Sequence, residues 1–254
     1  MSGPTPWQAV GVVIVAAGSG ERLGAAGPKA LVELHGRSLL AHTLAGLAAA
    51  CLPPAVVVHT PGRRDDFVAA LEQRPTAALV PGGVSRTASV AAGVAALPGD
   101  VEVVVVHDAA RPLTPAAVIA ATVSAVTQAD DVLAAAPGIP VADTLKRTRS
   151  ARSGDREVVE TVDRTGLVGI QTPQVFQRSV LERALAGVVE GREATDDLGL
   201  VERLRDDGVL TGRIVVVAGS AWSRKVTFPD DLALLSLLAT HADPASLEPA
   251  GSDP

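Results

Sequence analysis

The stretch Val10-Gly-Val-Val-Ile-Val-Ala-Ala-Gly-Ser-Gly20 decides the fold, because an apolar run rich in β-branched residues passes directly into glycines. Such a run is typical of a strand buried on both faces, as the strands of parallel sheets are. Glycines that follow it let the backbone approach a ligand closely and offer N–H groups to an anion. We therefore predict a parallel sheet whose first strand, Val10–Ala16, leads into a ligand-binding loop.

The rest of the chain alternates between apolar runs and segments with helical periodicity. Further strands are predicted at Ala55–His59, Ala77–Val80, Val101–His107, Val132–Ala136 and Ile214–Ala218. Helices are predicted at Ser38–Cys51, Asp65–Gln73, Ser85–Leu97, Pro115–Gln128, Gln177–Val189, Asp196–Asp207 and Pro229–Ala239. The alternation predicts an α/β fold, with a Rossmann-like, mostly parallel sheet and helices on both of its faces. We expect one domain over residues 8–241 and a disordered tail over residues 242–254.

A polar segment interrupts this rhythm after Pro137. Val141–Lys146 and Glu157–Val162 predict the two strands of a β-hairpin around the turn-rich tip Ser150–Asp155. The hairpin would be an insertion over residues of about 138–166, with few apolar partners of its own. Since an isolated hairpin is only marginally stable, we expect this arm to pack on a second subunit.

The composition excludes several functional classes. The 254-residue chain has a formal net charge of −6, whereas nucleic-acid binding normally requires a basic surface. No apolar run approaches the ~20 residues of a membrane span, and Met1–Gln8 lacks the basic start and apolar core of a signal peptide. The single cysteine, Cys51, has no partner for an internal disulfide and no Cys/His cluster for zinc. We expect a cytoplasmic protein without nucleic-acid or membrane partners.

Lysine is scarce in this chain. Of the 22 basic residues only Lys29, Lys146 and Lys225 are lysines. One interpretation is chance combined with a codon bias toward arginine. The other is that these positions need a compact ammonium group, which a planar guanidinium does not reproduce.

The loop Ala16–Lys29 is open to three kinds of glycine-loop chemistry. A Walker P-loop fails, because Lys29 is not followed by Ser or Thr. A dinucleotide fingerprint is weak, because the spacing across Gly18–Gly24 has one residue too many and no acidic residue ends the second strand near His59. The third chemistry fits better: Arg22 and Lys29 would neutralise a triphosphate. The alternative is a simple turn with two exposed cations.

Two more segments follow predicted strands. Gly82-Gly83-Val-Ser-Arg86-Thr-Ala-Ser89 opens a helix and suits an anionic ligand, although ordinary capping by Ser85 is the alternative. In His107-Asp108-Ala-Ala-Arg111, the carboxylate of Asp108 is a natural Mg²⁺ ligand at the carboxyl end of a parallel strand. Arg111 would pair with Asp108 and orient it. The alternative is an aspartate that only caps the turn.

Other polar segments carry weaker signals. On the arm, Asp143-Thr144-Leu-Lys146 and Val162-Asp-Arg164-Thr165 combine hydroxyls with basic groups that suit a substrate phosphate, but a solvated charged hairpin is the favoured interpretation from the residues alone. Lys225 follows the last predicted strand. Thr195-Asp196-Asp197 resembles a helix cap, and a ligand role for it stays open.

Together these segments resemble the 2-C-methyl-D-erythritol 4-phosphate cytidylyltransferases of the non-mevalonate isoprenoid pathway. The resemblance is in order and covers roughly Val12 to Leu235. Its motifs are Ala16-Ala-Gly-x-Gly-x-Arg22, Pro28-Lys29, Gly82-Gly83-x-x-Arg86-x-x-Ser89-Val90, His107-Asp-Ala-Ala-Arg-Pro112, Asp143-Thr144-x-Lys146, Thr161-Val-Asp-Arg164, Thr172-Pro-Gln174, Thr195-Asp196 and Lys225-Val-Thr227-x-Pro. An ordered set of this kind is far more specific than any one motif, and it includes all three lysines.

The resemblance implies a nucleotidyltransferase domain that uses Mg²⁺ and converts CTP and methylerythritol phosphate to the CDP-alcohol and pyrophosphate. It implies catalytic roles for Arg22, Lys29 and Lys225, and a metal-binding role for Asp108. The implied nucleotide-binding residues are Ala16, Ala17, Gly18, Gly20, Gly82, Gly83, Arg86, Ser89 and Asp108. The implied substrate-binding residues are Thr144, Arg164, Thr165 and Arg111.

The resemblance also implies a homodimer in which the arm crosses to the partner, so that Thr144 and Arg164 act in trans. Two departures are an acidic residue, Glu21, in the loop and a long tip at Thr148–Arg156. The nearest alternative is a ribitol-5-phosphate cytidylyltransferase. An alternative of another class is a catalytically silent nucleotide-binding regulator.

Overall fold

A computed structural model of the chain describes residues 7, 9–25, 27–151, 154–188 and 194–240. Several predictions fall outside this part of the chain, namely both ends of the domain at residues 8 and 241, the end of a helix at Val189, and the tail over residues 242–254. Within it, the predicted α/β fold with a mostly parallel sheet is confirmed.

Strands and helices alternate in the predicted order. The strands are β1 Val10–Val15, β2 Glu33–Leu34, β3 Arg37–Ser38, β4 Val56–His59, β5 Ala78–Pro81, β6 Val103–Asp108, β7 Val132–Pro140, β8 Leu145–Ser150, β9 Arg156–Val162, β10 Val168–Ile170, β11 Gln174–Gln177 and β12 Arg213–Ala218. The helices are α1 Leu39–Ala49, α2 Arg64–Ala70, α3 Arg86–Ala95, α4 Ala116–Thr127, α5 Arg178–Ala186, α6 Asp197–Asp206 and α7 Pro229–Ala239.

The central sheet has eight strands in the order β10-β7-β11-β6-β1-β4-β5, with β12 beside β7. The neighbours β6, β1, β4 and β5 run parallel, and β12 is parallel to β7. Strand β11 lies antiparallel between β6 and β7, and β10 is antiparallel to β7. Neither β10 nor β11 was predicted, because both are short and β11 begins and ends with glutamine.

Two apolar layers cover the faces of this sheet, as the alternation along β1 requires. Val12 and Ile14 point into one layer with residues of α1 and α4. Val13, between them, points into the other layer with residues of α3, α5 and α6. The prediction of helices on both faces is therefore confirmed.

The arm has different bounds from those predicted. Strand β7 continues to Pro140 instead of ending at Ala136, and the first arm strand is β8, Leu145–Ser150, instead of Val141–Lys146. β8 and β9 form a separate two-stranded antiparallel sheet. A second short hairpin, β2–β3, was not predicted. Polar residues at the arm's base gave no apolar alternation from which its register could be read.

None of the helices in the described part of the chain combines the length and apolarity that a membrane span requires.

Candidate active site

A cavity of about 350 Å³ lies at the carboxyl ends of β1, β5 and β6. Ligands of open parallel sheets bind at this edge. The cavity brings together ten of the predicted site residues: Ala16, Ala17, Gly18, Arg22, Lys29, Gly83, Arg86, Ser89, Asp108 and Lys225. The predicted residues that do not line it are Gly20, Gly82, Arg111, Thr144, Arg164 and Thr165.

The loop after β1 folds back on itself to form one wall. Gly20 and Gly24 adopt left-handed backbone conformations, with φ of 82° and 68°, which glycine alone adopts without strain. A short 3₁₀ turn lies between them, and the N–H of Lys29 donates to the carbonyl of Gly18 at 3.1 Å. The loop therefore returns Lys29 to the end of the strand from which it departed.

The turn after β5 forms the opposite wall. The Ser85 side chain caps α3 by accepting from the N–H of Ala88 at 3.1 Å, so the capping interpretation is confirmed. The Ser89 hydroxyl donates to the Ser85 carbonyl and accepts from the N–H of Gly83 at 3.1 Å. A Cβ at Gly82 would lie 2.6 Å from the Cβ of Ala17, so only glycine lets the two walls approach this closely.

Asp108 lies between two cations at the base of the cavity. Its Oδ2 atom is 2.6 Å from Lys225 Nζ, and its Oδ1 atom is 3.5 Å from Arg86 Nη2. Burial opposes ionisation, but the charges of Lys225 and Arg86 outweigh it and hold the pKa of Asp108 well below its usual range. Asp108 is therefore a carboxylate at neutral pH.

Arg111 does not pair with Asp108 as predicted. It donates to the Ser223 carbonyl at 2.6 Å, and burial lowers its pKa. Lys225 takes the expected place because its loop is held against the end of β6, where the N–H of Val226 donates to the Ala110 carbonyl at 2.8 Å. That attachment crosses more than a hundred residues of chain, so local spacing could not show it.

The other two cations reach the cavity from the glycine loop. Lys29 Nζ donates to the Val226 carbonyl at 2.8 Å, which joins the loop to the Lys225 segment. Burial and then the charge of Lys225 lower the pKa of Lys29. The Arg22 guanidinium lies 6.0 Å from the centre of the Phe228 ring. A bound anion would favour the charged form of Lys29, since this ammonium group is partly desolvated and lies near the positive charge of Lys225.

A buried polar layer supports Asp108 from behind. Thr172 Oγ1 accepts from the backbone N–H of Asp108 at 3.1 Å and lies 2.8 Å from His107 Nδ1. Burial lowers the pKa of His107 to about 4, so its ring is neutral at pH 7. These contacts give His107 a structural role behind the cavity.

Residues at the start of α6 extend this layer, where the sequence predicted a helix cap and left a ligand role open. Arg86 Nη1 lies 2.7 Å from Asp197 Oδ2, a carboxylate with no exposed surface. Burial raises the pKa of Asp197. Gln174 donates to Asp196 Oδ2 at 2.7 Å and accepts from the N–H of Leu198. The available sequence signal for this polar layer was the presence of polar residues in segments that otherwise contribute apolar side chains to the core.

The arm residues lie apart from the cavity lining within one chain. Thr144, Arg164 and Thr165 are exposed. The Arg164 guanidinium donates to the carbonyls of Val141 and Ala142, and the Thr165 N–H donates to Asp163 at 2.9 Å. The structure of one chain does not bring these three predicted substrate-binding residues to the nucleotide loop.

The donors around Asp108 fit one kind of metal site. Among the described residues no three His, Cys, Asp or Glu side chains are grouped to hold a metal by themselves. Mg²⁺ does not need such a group, because it commonly binds one or two carboxylates together with substrate phosphates and water. Asp108 Oδ1 makes a long 3.5 Å contact to Arg86, whereas Oδ2 makes the short one to Lys225, so Oδ1 fits a magnesium ion shared with a nucleotide.

Comparison with known proteins gives a consistent result. The family model for 2-C-methyl-D-erythritol 4-phosphate cytidylyltransferase matches residues 10–240. The enzyme of that name from Frankia casuarinae is 42% identical over 236 residues, covering 93% of this chain and 83% of the relative. A bifunctional enzyme IspD/IspF from Clavibacter michiganensis is 43% identical over 236 residues; the match covers 91% of this chain and only 54% of that relative.

A solved structure extends the comparison to three dimensions. The crystal structure of 2-C-methyl-D-erythritol 4-phosphate cytidylyltransferase from Thermus thermophilus superposes with a TM-score of 0.71 at 33% identity. The match covers 91% of this chain and 98% of that one.

Proposed function

The chain belongs to the 2-C-methyl-D-erythritol 4-phosphate cytidylyltransferase family and is a nucleotidyltransferase, and from that premise we propose how its cavity works. CTP and 2-C-methyl-D-erythritol 4-phosphate react to give 4-diphosphocytidyl-2-C-methyl-D-erythritol and pyrophosphate. The matched family, the Frankia enzyme and the Thermus structure carry this acceptor in their names, and we therefore place methylerythritol phosphate ahead of ribitol phosphate.

One observation carries the proposal: the cavity of an acidic protein concentrates positive charge. Four basic side chains, Arg22, Lys29, Arg86 and Lys225, line it beside one acidic side chain, Asp108. The chain as a whole has a net charge of −6. This local excess suits a triphosphate, and it argues against a silent regulator because binding alone needs fewer cations.

In the proposed reaction, an oxygen of the acceptor phosphate attacks the α-phosphorus of CTP. A new P–O bond forms while the bond from the α-phosphorus to the oxygen bridging toward the β-phosphate breaks, and pyrophosphate leaves with that electron pair. Arg22, Lys29 and Lys225 offset the negative charge that shifts onto the phosphoryl and leaving-group oxygens. Lys29 is already held in place by the Val226 carbonyl, so little reorganisation of that side chain accompanies the step.

The nucleoside end is assigned to the two glycine walls. Ala16, Ala17 and Gly18 directly follow the first strand, and Gly83 and Ser89 face them across the cavity. The close approach at Gly82 and the left-handed turn at Gly20 support these walls from outside the lining. Backbone groups here would bind the cytosine and the ribose.

Mg²⁺ is part of the proposal, with Asp108 as its protein ligand. When bound, the ion would neutralise phosphate charge and favour one arrangement of the triphosphate. Lys225, which pairs with Asp108 at 2.6 Å, would then turn its ammonium group toward the phosphates.

The acceptor end is assigned to the arm of a second subunit. Thr144, Arg164 and Thr165 would bind the acceptor phosphate in trans, with Arg111 beside the cavity. Two observations support this: these arm residues are exposed, and the arm presents Val158 and Val159 with more than half of their surface exposed. A dimer should persist at nanomolar concentration in light scattering, and a monomer there would contradict the in-trans site. The cytoplasmic location stays a prediction.

Pyrophosphate release tests the proposal directly. CTP, UTP and ATP are each combined with methylerythritol phosphate or ribitol 5-phosphate, with and without Mg²⁺. The expected result is release with CTP and methylerythritol phosphate only when Mg²⁺ is present. Pyrophosphate release with ribitol phosphate instead would show that the protein is a ribitol-5-phosphate cytidylyltransferase. CTP binding without pyrophosphate release would favour the silent regulator.

A further inference from the structure

An unbroken chain of charged side chains leads from helix α6 into the cavity. It passes from Asp197 to Arg86 at 2.7 Å, from Arg86 to Asp108 at 3.5 Å, and from Asp108 to Lys225 at 2.6 Å. The last three side chains line the cavity, whereas Asp197 lies behind it with no exposed surface. A buried ionisable side chain of this kind needs a reason to be there.

Capping does not supply that reason. The N-cap of α6 is Asp196, whose Oδ1 accepts from the N–H of Gly199 at 3.0 Å. Asp197 is the next residue, and its Oδ2 atom is directed to Arg86. Its other oxygen, Oδ1, is buried and has no hydrogen-bond partner among the residues that the structure describes. Asp196 therefore caps the helix, whereas Asp197 binds Arg86 in the cavity wall.

The two distances at Arg86 indicate how the guanidinium is shared. The contact to Asp197 is short and that to Asp108 is long, so Arg86 is held mainly by Asp197. Without the charge of Asp197, the carboxylate nearest to Arg86 would be Asp108, and opposite charges at this distance attract strongly where water is excluded. Arg86 would then shift onto Asp108 and occupy the oxygen that is now only loosely contacted.

The position of Asp197 is itself fixed by the sheet. Gln174 on β11 donates to Asp196 and accepts from Leu198, and so grips the two residues that flank Asp197. The N-terminus of α6 is thereby attached to the strand beside β6, which ends in Asp108. This attachment makes Asp197 a fixed point rather than a mobile counter-ion.

We propose that Asp197 is a positioning residue for nucleotide binding: by holding Arg86 away from Asp108, it keeps Asp108 available to the incoming nucleotide. The inference rests on the proposed function, because it takes CTP as the ligand. Asp197 touches neither the nucleotide nor the reacting atoms in this assignment, and it acts only through Arg86.

A double-mutant cycle on CTP binding tests the proposal, because it isolates the coupling between two residues. CTP affinity is measured by calorimetry with Mg²⁺ and without acceptor in the wild type, Asp197→Asn, Arg86→Gln and the double variant. Asp197→Asn should weaken CTP binding about tenfold, as loss of a group that orients a ligand-binding residue commonly does. In the Arg86→Gln background the same change should have no further effect.

Controls separate positioning from general destabilisation. Asp131→Asn removes another carboxylate from an arginine pair, to Arg213 at 2.6 Å, on the exposed surface, and it should leave CTP affinity unchanged. Asp197→Asn should also leave the KM for the phosphorylated acceptor unchanged in the assay of turnover, and Asp197→Glu should restore part of the CTP affinity. A variant that merely loosened the fold would raise both KM values.

The outcomes distinguish the inference from the function. Equal loss of CTP affinity with and without Arg86, or no loss at all in folded Asp197→Asn, would overturn the inference and leave the function standing. A wild-type protein without CTP affinity would overturn both. If Asp197→Asn does not fold, Gln174→Met tests the same bridge through its support, since Gln174 fixes the two residues that flank Asp197. CTP affinity should fall in that variant, and wild-type CTP affinity in it would overturn the inference.

Discussion

The cavity and the β8–β9 arm both carry ion pairs at short distance, but only the cavity shields them from water. Lys225 and Asp108 meet at 2.6 Å with the carboxylate buried. Arg147 and Glu160 also meet at 2.6 Å on the arm, where both side chains are more than half exposed. Solvent screens the pair on the arm, whereas the cavity pair, whose carboxylate is buried, holds the pKa of that carboxylate well below its usual range. Equal distances therefore have unequal consequences.

This difference separates two kinds of chemistry within one chain. The cavity fixes its charges in advance, as stabilisation of a transition state requires. The arm keeps Arg164 and its neighbours in solvent, where they gain a defined environment only from a partner. We expect substitutions in the cavity to alter turnover. Substitutions on the arm should either weaken acceptor binding or have no measurable effect.

The largest expected effect is in the cavity. Lys29→Ala should lower kcat by at least ~10²-fold, because it removes a cation placed beside the reacting phosphates. The measurement is steady-state pyrophosphate release, with circular dichroism to show that the variant is folded. Near-normal turnover would remove Lys29 from the mechanism.

On the arm, Arg164→Ala should raise the KM for methylerythritol phosphate by about tenfold, which corresponds to the loss of one charge-assisted hydrogen bond. The KM for CTP should not change, since Arg164 lies outside the cavity lining. Initial rates with each substrate varied in turn decide the point. A defect confined to CTP would contradict the assignment of this residue to the acceptor.

A smaller effect is expected where the two cavity walls touch. Gly82→Ala would place a methyl group 2.6 Å from the Cβ of Ala17 and 3.0 Å from Ser89 Oγ. Such overpacking costs about 1–3 kcal/mol, so the melting temperature should fall and CTP should bind more weakly. Gly99→Ala is the matched control, because a Cβ there has no neighbour within 4 Å among the described residues. Equal melting temperatures for the two variants would show that the walls are not in tight contact.

The smallest effect is expected from the exposed pairs of the arm. Arg147→Ala should change neither the melting temperature nor any kinetic constant measurably, because pairs of this exposure contribute little. Calorimetric unfolding and the pyrophosphate assay check both statements. A substantial loss of activity would mean that Arg147 is covered in the working enzyme, and the contrast between cavity and arm would no longer hold.

Strands with continuous apolar runs were predictable from the sequence. Val10–Val15 and Val103–Asp108 agree with their predictions to within two residues, since a strand buried on both faces must be apolar throughout. Strand β11 was missed for the opposite reason. Its two glutamines form hydrogen bonds to distant residues. Gln174 binds Asp196 at the start of α6, and Gln177 binds Val132 at the start of β7. Such partners cannot be predicted from the local sequence pattern.

The residues that line the site were largely predictable from the sequence, but the contacts between them were not. Gly18, Lys29 and the other motif residues line one cavity because each follows a strand of the same sheet edge. The partner of Asp108 was predicted wrongly as Arg111, three residues away, when it is Lys225. Sequence proximity favours the nearby arginine, but the turn after β6 directs Arg111 to the Ser223 carbonyl instead.

The pair of Lys225 and Asp108 makes nucleotide binding an exchange of counter-ions. A triphosphate that engages Lys225 must replace a carboxylate already in place, and the released carboxylate must find another cation. The positive charge of Lys225 is then neutralised both before binding, by Asp108, and after binding, by a phosphate. CTP affinity should therefore decline less steeply with ionic strength than four cations in the cavity would suggest. Such an arrangement favours an anionic ligand that brings a cation for the released Asp108 carboxylate, as a magnesium nucleotide does.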